Sequence, residues 1–231
     1  MTTPPMTRHE LAKMIDHSLL RQDVTRQDTI AGCELAMKYD VASATVKSCY
    51  VKLAADILKG SDVKVNPVID FPNGYASTED KVFETKRSID EGAGEIDMVM
   101  NLGAFLSGDY DFVRDDIAAV VKASQGAPVK VIFEVYFLKE RDDLLVKACQ
   151  LAEEAGVTFV KTSTGFAPEG YTMHQLELMR ASVSPKVQVK AAQGVRSLDD
   201  AIAVHAIGVT RFGARSTEKI MLGWDERFGG K

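Results

Sequence analysis

Two lysines end two apolar runs late in the chain, and each leads into a turn of small residues that contains glycine. Lys161 closes Val157-Thr-Phe-Val and opens Thr162-Ser-Thr-Gly165, while Lys190 closes Val187-Gln-Val and opens Ala191-Ala-Gln-Gly194. Burying an ammonium is costly, so packing alone rarely puts lysine at the end of an apolar strand. On consecutive strands of a parallel barrel the two would share one mouth. Each like charge would then lower the pKa of the other. A lysine that is neutral near neutral pH attacks carbonyl carbon, which is the chemistry of Schiff-base formation.

The elements that must hold these lysines follow one period. Short apolar strands are expected at 14–17, 41–47, 64–70, 95–100, 129–134, 157–161, 186–190 and 210–213. Helical stretches separate them: from a Thr25 cap to Lys38, then 51–58, about 77–91, 110–123, 140–155, 172–183 and 198–206. Gly156 and Gly208 end two of these as C-terminal caps would. Eight βα units in a chain of this length predict a (β/α)₈ barrel, a single domain over residues 1–231. No linker, low-complexity stretch or shorter repeat interrupts the period. A doubly wound open sheet would carry a Gly-rich fingerprint after its first strand, and Ile15-Asp-His-Ser-Leu has none.

Barrel chemistry sits at the C-terminal ends of the strands. Those ends carry Asp16, Lys47, Asp70, Asp97, Glu134, Lys161 and Lys190. Asp97 lies between apolar neighbours, as an acid between two lysines must; the alternative is an ion pair that only holds the barrel mouth together. For Asp16 the choice is between site and helix cap, and His17 reads as a packing imidazole. Glu134 is either a site residue or an ion-pair partner of Lys161 or Lys47. Lys47 is either a third cation of the site or a rim charge. Lys64, Glu95, Lys130 and Lys186, near strand starts, read as solvated rim charges.

Gly165, Gly194 and Gly213 follow the sixth, seventh and eighth strands. Late barrel turns of this kind bind phosphate through backbone N–H groups and a helix N-terminus. Arg215, Ser216 and Thr217 open the last helix and offer a guanidinium and two hydroxyls. Thr162 and Lys47 complete the candidate substrate contacts.

Composition excludes several classes. Of 231 residues, 45% are hydrophobic and 26% charged, which suits a globular domain of barrel size, and the net charge of −5 with no long basic run argues against nucleic acid. No apolar run approaches a membrane span, and Met1-Thr-Thr-Pro-Pro-Met6 lacks the features of a signal peptide. Three scattered cysteines, Cys33, Cys49 and Cys149, form no CxxC pair and read as small buried hydrophobes in a reduced, cytoplasmic protein. No His/Asp/Glu cluster has metal-ligand spacing, so neither metal nor cofactor is expected.

The sequence resembles the deoxyribose-phosphate aldolases, class I aldolases with a (β/α)₈ barrel. The resemblance runs from Ile15 to about Ile220. It is carried by Ile15-Asp-His-Ser-Leu-Leu20, Glu95-Ile-Asp-Met-Val99, Ser107-Gly-Asp-Tyr110, Phe159-Val-Lys-Thr-Ser-Thr-Gly-Phe166 and Val189-Lys-Ala191. It implies that Lys161 forms the imine with the aldehyde donor and that Lys190 perturbs it. Asp97 would move protons with Lys190 and a water, and Asp16 would belong to the same polar network. The implied reaction joins acetaldehyde and glyceraldehyde 3-phosphate reversibly to 2-deoxyribose 5-phosphate. A homodimer is the implied assembly. Departures fall in the phosphate sector: Gln193-Gly194 stands where many members have Gly-Gly, and Gly213-Ala-Arg-Ser216 where many have Gly-Thr-Ser-Ser. Thr45-Val-Lys-Ser48 replaces a frequent Cys-Val-Asn-Pro, Asp70 replaces a frequent glycine, and a terminal tyrosine is lacking. Two other readings stay open: an aldolase of the same family acting on a different or unphosphorylated aldehyde, and a non-catalytic barrel that binds a sugar phosphate.

Overall fold

The computed structural model describes residues 4–229. Its eight strands are β1 (Ile15–Ser18), β2 (Ser43–Val46), β3 (Lys64–Ile69), β4 (Ile96–Val99), β5 (Val129–Ile132), β6 (Phe159–Lys161), β7 (Gln188–Ala191) and β8 (Arg211–Ala214). All pair in parallel, and β8 closes on β1. The doubly wound sheet is thereby excluded, since that fold leaves two open edges.

Strand sequence explains both faces of this barrel. Successive side chains point to opposite faces. In β4 the pattern is Ile96-Asp-Met-Val, in β5 Val129-Lys-Val-Ile, and in β7 Gln188-Val-Lys-Ala. Ile96, Met98, Val129, Val131 and Val189 are fully or almost fully buried and belong to the apolar core that the outer helices cover. The intervening polar residues therefore share the barrel interior. The inward face is a layer of paired charges, in place of the branched aliphatic filling common in such barrels.

The helices follow the expected order: α2 (Arg26–Lys38), α3 (Val51–Leu58), α4 (Thr78–Asp90), α6 (Tyr110–Ala123), α7 (Asp142–Glu154), α8 (Met173–Ala181), α9 (Leu198–Ala206) and α10 (Thr217–Phe228). Thr25 caps α2 as expected, accepting from the Asp28 N–H while Asp28 answers the Thr25 N–H. Most helices turn an apolar stripe inward, on α6 Val113, Ile117 and Val120, whereas α4 buries the polar residues Lys81, Thr85 and Ser88. Two helices were not expected from sequence. α1 (Arg8–Lys13) begins at a Thr7–Glu10 capping box, and α5 (Leu102–Leu106) is a single turn capped by Asn101. Cys33 and Cys149 are buried as expected, whereas Cys49 is exposed. Among the described residues, no helix is long and apolar enough to cross a membrane.

Candidate active site

Lys161 and Lys190 are register partners on β6 and β7, and both are buried. Their ammonium groups meet on one atom: each Nζ lies 2.7 Å from Asp97 Oδ2. The other oxygen of Asp97 accepts from Lys130 Nζ at 2.9 Å and from Asn66 Nδ2 at 3.0 Å. Asp16 faces Lys190 at 2.5 Å and Arg211 at 2.7 Å, and Ser43 Oγ donates to it at 2.6 Å. Glu95 completes the layer by pairing with Lys130 at 2.6 Å and Arg211 at 3.2 Å.

Two sequence expectations are corrected here. Lys130 and Glu95 are not solvated rim charges; Lys130 is fully buried and Glu95 nearly so. The register of β5 carries Lys130 inward directly beside Asp97, and Glu95, just before β4, reaches the same layer by pairing with Lys130. The alternation Val129-Lys130-Val131 was the signal that could have found Lys130. Asn66 and Arg211 also join the layer and were not singled out from the sequence.

The charge count explains the behaviour of Lys161. Asp16, Glu95 and Asp97 are matched by Lys130, Lys190 and Arg211, which leaves Lys161 as the surplus cation. Burial is the main force that pushes Lys161 down to about 8; Asp97 opposes it and Lys190 reinforces it. Burial would also raise the Asp97 carboxyl, but Lys130, Lys161 and Lys190 together hold it well below the usual carboxylate range. Burial would likewise raise Asp16, and Lys190, Arg211 and Lys130 keep it low. Lys130 itself is held above the ordinary lysine value, because Asp97, Glu95 and Asp16 outweigh its burial. Of the clustered lysines, Lys161 is the one that opens toward solvent-filled space.

That space is a cavity of about 530 Å³ at the C-terminal end of the barrel. Lys161 lies in its wall, together with Gly165, Gly194, Gly213, Arg215 and Ser216, so the late glycine turns do converge on the lysine. Gly194 is required for space: a Cβ there would sit 2.7 Å from the Tyr171 ring, whereas at Gly213 it would meet Ser18 Oγ at 3.5 Å, an ordinary contact. Among the described residues, the backbone N–H groups of Gly194, Val195, Arg215 and Ser216 have no protein acceptor. Arg215 is exposed at this rim. Gln193 adopts a positive φ of 65°, a conformation that glycine takes at less cost. Its Nε2 donates to Ala167 O at 2.7 Å, which ties the β7–α9 turn to the β6–α8 loop.

Other expected residues lie apart from the cavity. Lys47 is half-buried and donates to the Gln22 and Val24 carbonyls at 2.9 and 2.8 Å, so it anchors the β1–α2 loop. Thr162 bridges strands through Ala192, accepting from its N–H at 2.9 Å and donating to its carbonyl. Glu134 pairs with neither Lys161 nor Lys47. Its carboxylate accepts from the Thr164 backbone and hydroxyl, and burial raises its pKa. Asp70 accepts from the Ala76 N–H at 2.7 Å and lies 3.7 Å from Lys81, a buried lysine whose closer partner is Asp116 at 2.6 Å. His17 faces Thr217 Oγ1 at 2.9 Å, with burial pushing it down to about 4, in keeping with a packing imidazole.

A closed parallel barrel with a buried lysine of lowered pKa in the wall of its C-terminal cavity has the form of an aldolase that works through a lysine imine. The family model for DeoC/LacD family aldolases matches residues 11–215. A deoxyribose-phosphate aldolase of Streptococcus equi subsp. zooepidemicus is 50% identical over 211 residues, covering 91% of this chain and 95% of its own. One from Clostridium kluyveri is 45% identical over 217 residues, covering 94% and 99%. The solved deoxyribose phosphate aldolase of Aeropyrum pernix, described as tetrameric, superposes with a TM-score of 0.87 at 29% identity, over 95% of this chain and 92% of that one. The chain belongs to the DeoC/LacD family of aldolases.

Proposed function

We propose that this aldolase reversibly cleaves 2-deoxyribose 5-phosphate to glyceraldehyde 3-phosphate and acetaldehyde, with Lys161 as the nucleophile. The observation that carries the reading is the Lys161 amine, pushed down to about 8 in the wall of the cavity. At neutral pH a useful fraction of it is free base and can add to an aldehyde carbonyl. Loss of water from the carbinolamine gives the imine. Removal of a proton from the adjacent carbon gives an enamine, whose terminal carbon attacks the second aldehyde. Asp97 Oδ2 lies 2.7 Å from the nitrogen and is shared with Lys190, and the two groups are suited to pass protons to and from it through water. Asp16 keeps Lys190 oriented from the far side.

The unpartnered N–H groups of the late turns and the Arg215 guanidinium suit a phosphate dianion at the far end of the substrate. Gly165, Gly194, Gly213 and Ser216 belong to that end. An unphosphorylated substrate is the second reading, favoured by Gln193, whose side chain already spans the two phosphate-side loops. A homo-oligomer, at its simplest a dimer, is in keeping with the assembly described for the Aeropyrum pernix relative. The exposed free thiol of Cys49 suits a reducing, cytoplasmic compartment. The test is a retro-aldol assay with 2-deoxyribose 5-phosphate and plain 2-deoxyribose side by side. Preference for the phosphate ester by at least about tenfold in kcat/KM supports the first reading. Equal rates favour the second.

A further inference from the structure

We infer that Asn66 is a positioning residue for the imine chemistry: its neutral carboxamide fixes which oxygen of Asp97 faces the two lysines. The inference rests on the reading of Lys161 as nucleophile. Asn66 lies in β3 as the register partner of Thr45, and it is fully buried. It is absent from the cavity wall, so it acts only through its neighbours.

Each side of the amide has a partner that fixes its orientation. Nδ2 donates to Asp97 Oδ1 at 3.0 Å and to Thr45 Oγ1 at 3.2 Å, while Oδ1 accepts from Lys130 Nζ at 3.1 Å. A flipped amide would set NH₂ against an ammonium and oxygen against a carboxylate. Asp97 Oδ1 is thereby occupied by Lys130 and Asn66, and Oδ2 is left to Lys161 and Lys190. A carboxylate without this anchor could turn and exchange its oxygens among three ammonium groups.

Neutrality matters as much as shape. The charged groups around Asn66 and Lys161 are Asp16 on β1, Glu95 before β4, Asp97 on β4, Lys130 on β5, Glu134 after β5, Lys190 on β7 and Arg211 on β8. Glu134 is taken up by Thr164 outside the paired layer, so a carboxylate at position 66 would add a fourth anion to the three that pair within it, Asp16, Glu95 and Asp97. The surplus cation Lys161 would then keep its proton.

The experiment compares the wild type with Asn66→Asp, Asn66→Leu and Thr45→Val. It records rate against pH, separate kcat and KM, thermal midpoint, and borohydride trapping with acetaldehyde. For Asn66→Asp the onset of activity should move up by about one pH unit or more, a loss of about tenfold near neutral pH. Asn66→Leu should lose about tenfold or more in kcat with KM within about twofold, because the cavity wall is untouched. Thr45→Val, which removes only the second anchor of Nδ2, should shift the same quantities in the same direction by less. Folded Asn66 variants whose kcat and pH onset match the wild type, with only the thermal midpoint lowered, would make Asn66 a packing residue and overturn the inference. If neither Asn66 variant folds, a Thr45→Val enzyme identical to wild type in kcat and pH onset overturns it. Absence of an adduct on the wild type instead overturns the assignment of Lys161 itself.

Discussion

Replacing Lys190 with leucine isolates the tuning of Lys161. With Lys161 at about 8, roughly one molecule in ten carries a neutral amine at neutral pH. Burial is the main cause, and Lys190 adds to it. Lys190 also holds Asp97 Oδ2 at 2.7 Å and Asp16 Oδ2 at 2.5 Å. Without it, Asp16, Glu95 and Asp97 face Lys130, Arg211 and Lys161, so the layer balances only when Lys161 is charged. Each unit by which Lys161 rises costs about tenfold in free amine, or about 1.4 kcal/mol. A full return to the ordinary 10.5 would cost about 300-fold at neutral pH. Because Lys161 stays buried, the loss should fall between about tenfold and that limit. The assay is initial retro-aldol rate from about pH 6 to about pH 10, with a thermal midpoint at each end to confirm folding. The onset of activity should move to higher pH, and much of the rate should return there. A variant slowed by the same factor at every pH, with the wild-type onset, would refute charge tuning and make Lys190 a proton donor only.

Asp97→Asn should both slow turnover and weaken the fold. Three ammonium groups and one amide converge on that carboxylate, and leaving buried charges unpaired costs about 3–5 kcal/mol; a urea midpoint equal to wild type would contradict this. Arg215→Ala should raise KM for 2-deoxyribose 5-phosphate by at least about tenfold, the worth of a charge-assisted hydrogen bond, and leave plain deoxyribose nearly unaffected. Equal effects on both substrates would remove Arg215 as the phosphate anchor. His17 is neutral in the fold at about 4 against an ordinary 6.5, so the unfolded chain binds its proton first. The stability it contributes is present above pH ~6.5 and is lost as pH falls toward ~4, by up to ~3.4 kcal/mol. His17→Asn should flatten the dependence of the urea midpoint on pH over that window, and an unchanged slope would exclude His17 as its source.

The barrel was legible in the sequence because its period is dictated by local physics: short apolar runs, capped helices and glycine stops, repeated eight times. Lys161, Lys190 and Asp97 were legible because each stands out as a charge within an apolar run. Lys130 and Glu95 were misread because distance from a strand start was taken for distance from the site. In a closed barrel the strands are staggered, so the second residue of β5 stands beside the second residue of β4. Alternation with valine was the better guide, since the outer face of every strand must be apolar. Asn66 and Thr45 carry no charge, and nothing in a single sequence marks a neutral polar residue as an anchor. The paths of Lys47 and Thr162 depend on loop and strand partners far away in the chain. Helix α5 was missed because a single turn has too little periodicity to register, and α1 was missed although the Thr7–Glu10 spacing of a capping box was there to be read.

Borohydride reduction in the presence of acetaldehyde, followed by peptide mass analysis, tests the central claim most directly. We expect one added two-carbon unit on the peptide that contains Lys161, and no such adduct in Lys161→Ala. A stable adduct on Lys190 or Lys130 in the wild type, or labelling undiminished in Lys161→Ala, would contradict the assignment of Lys161 as the imine-forming lysine.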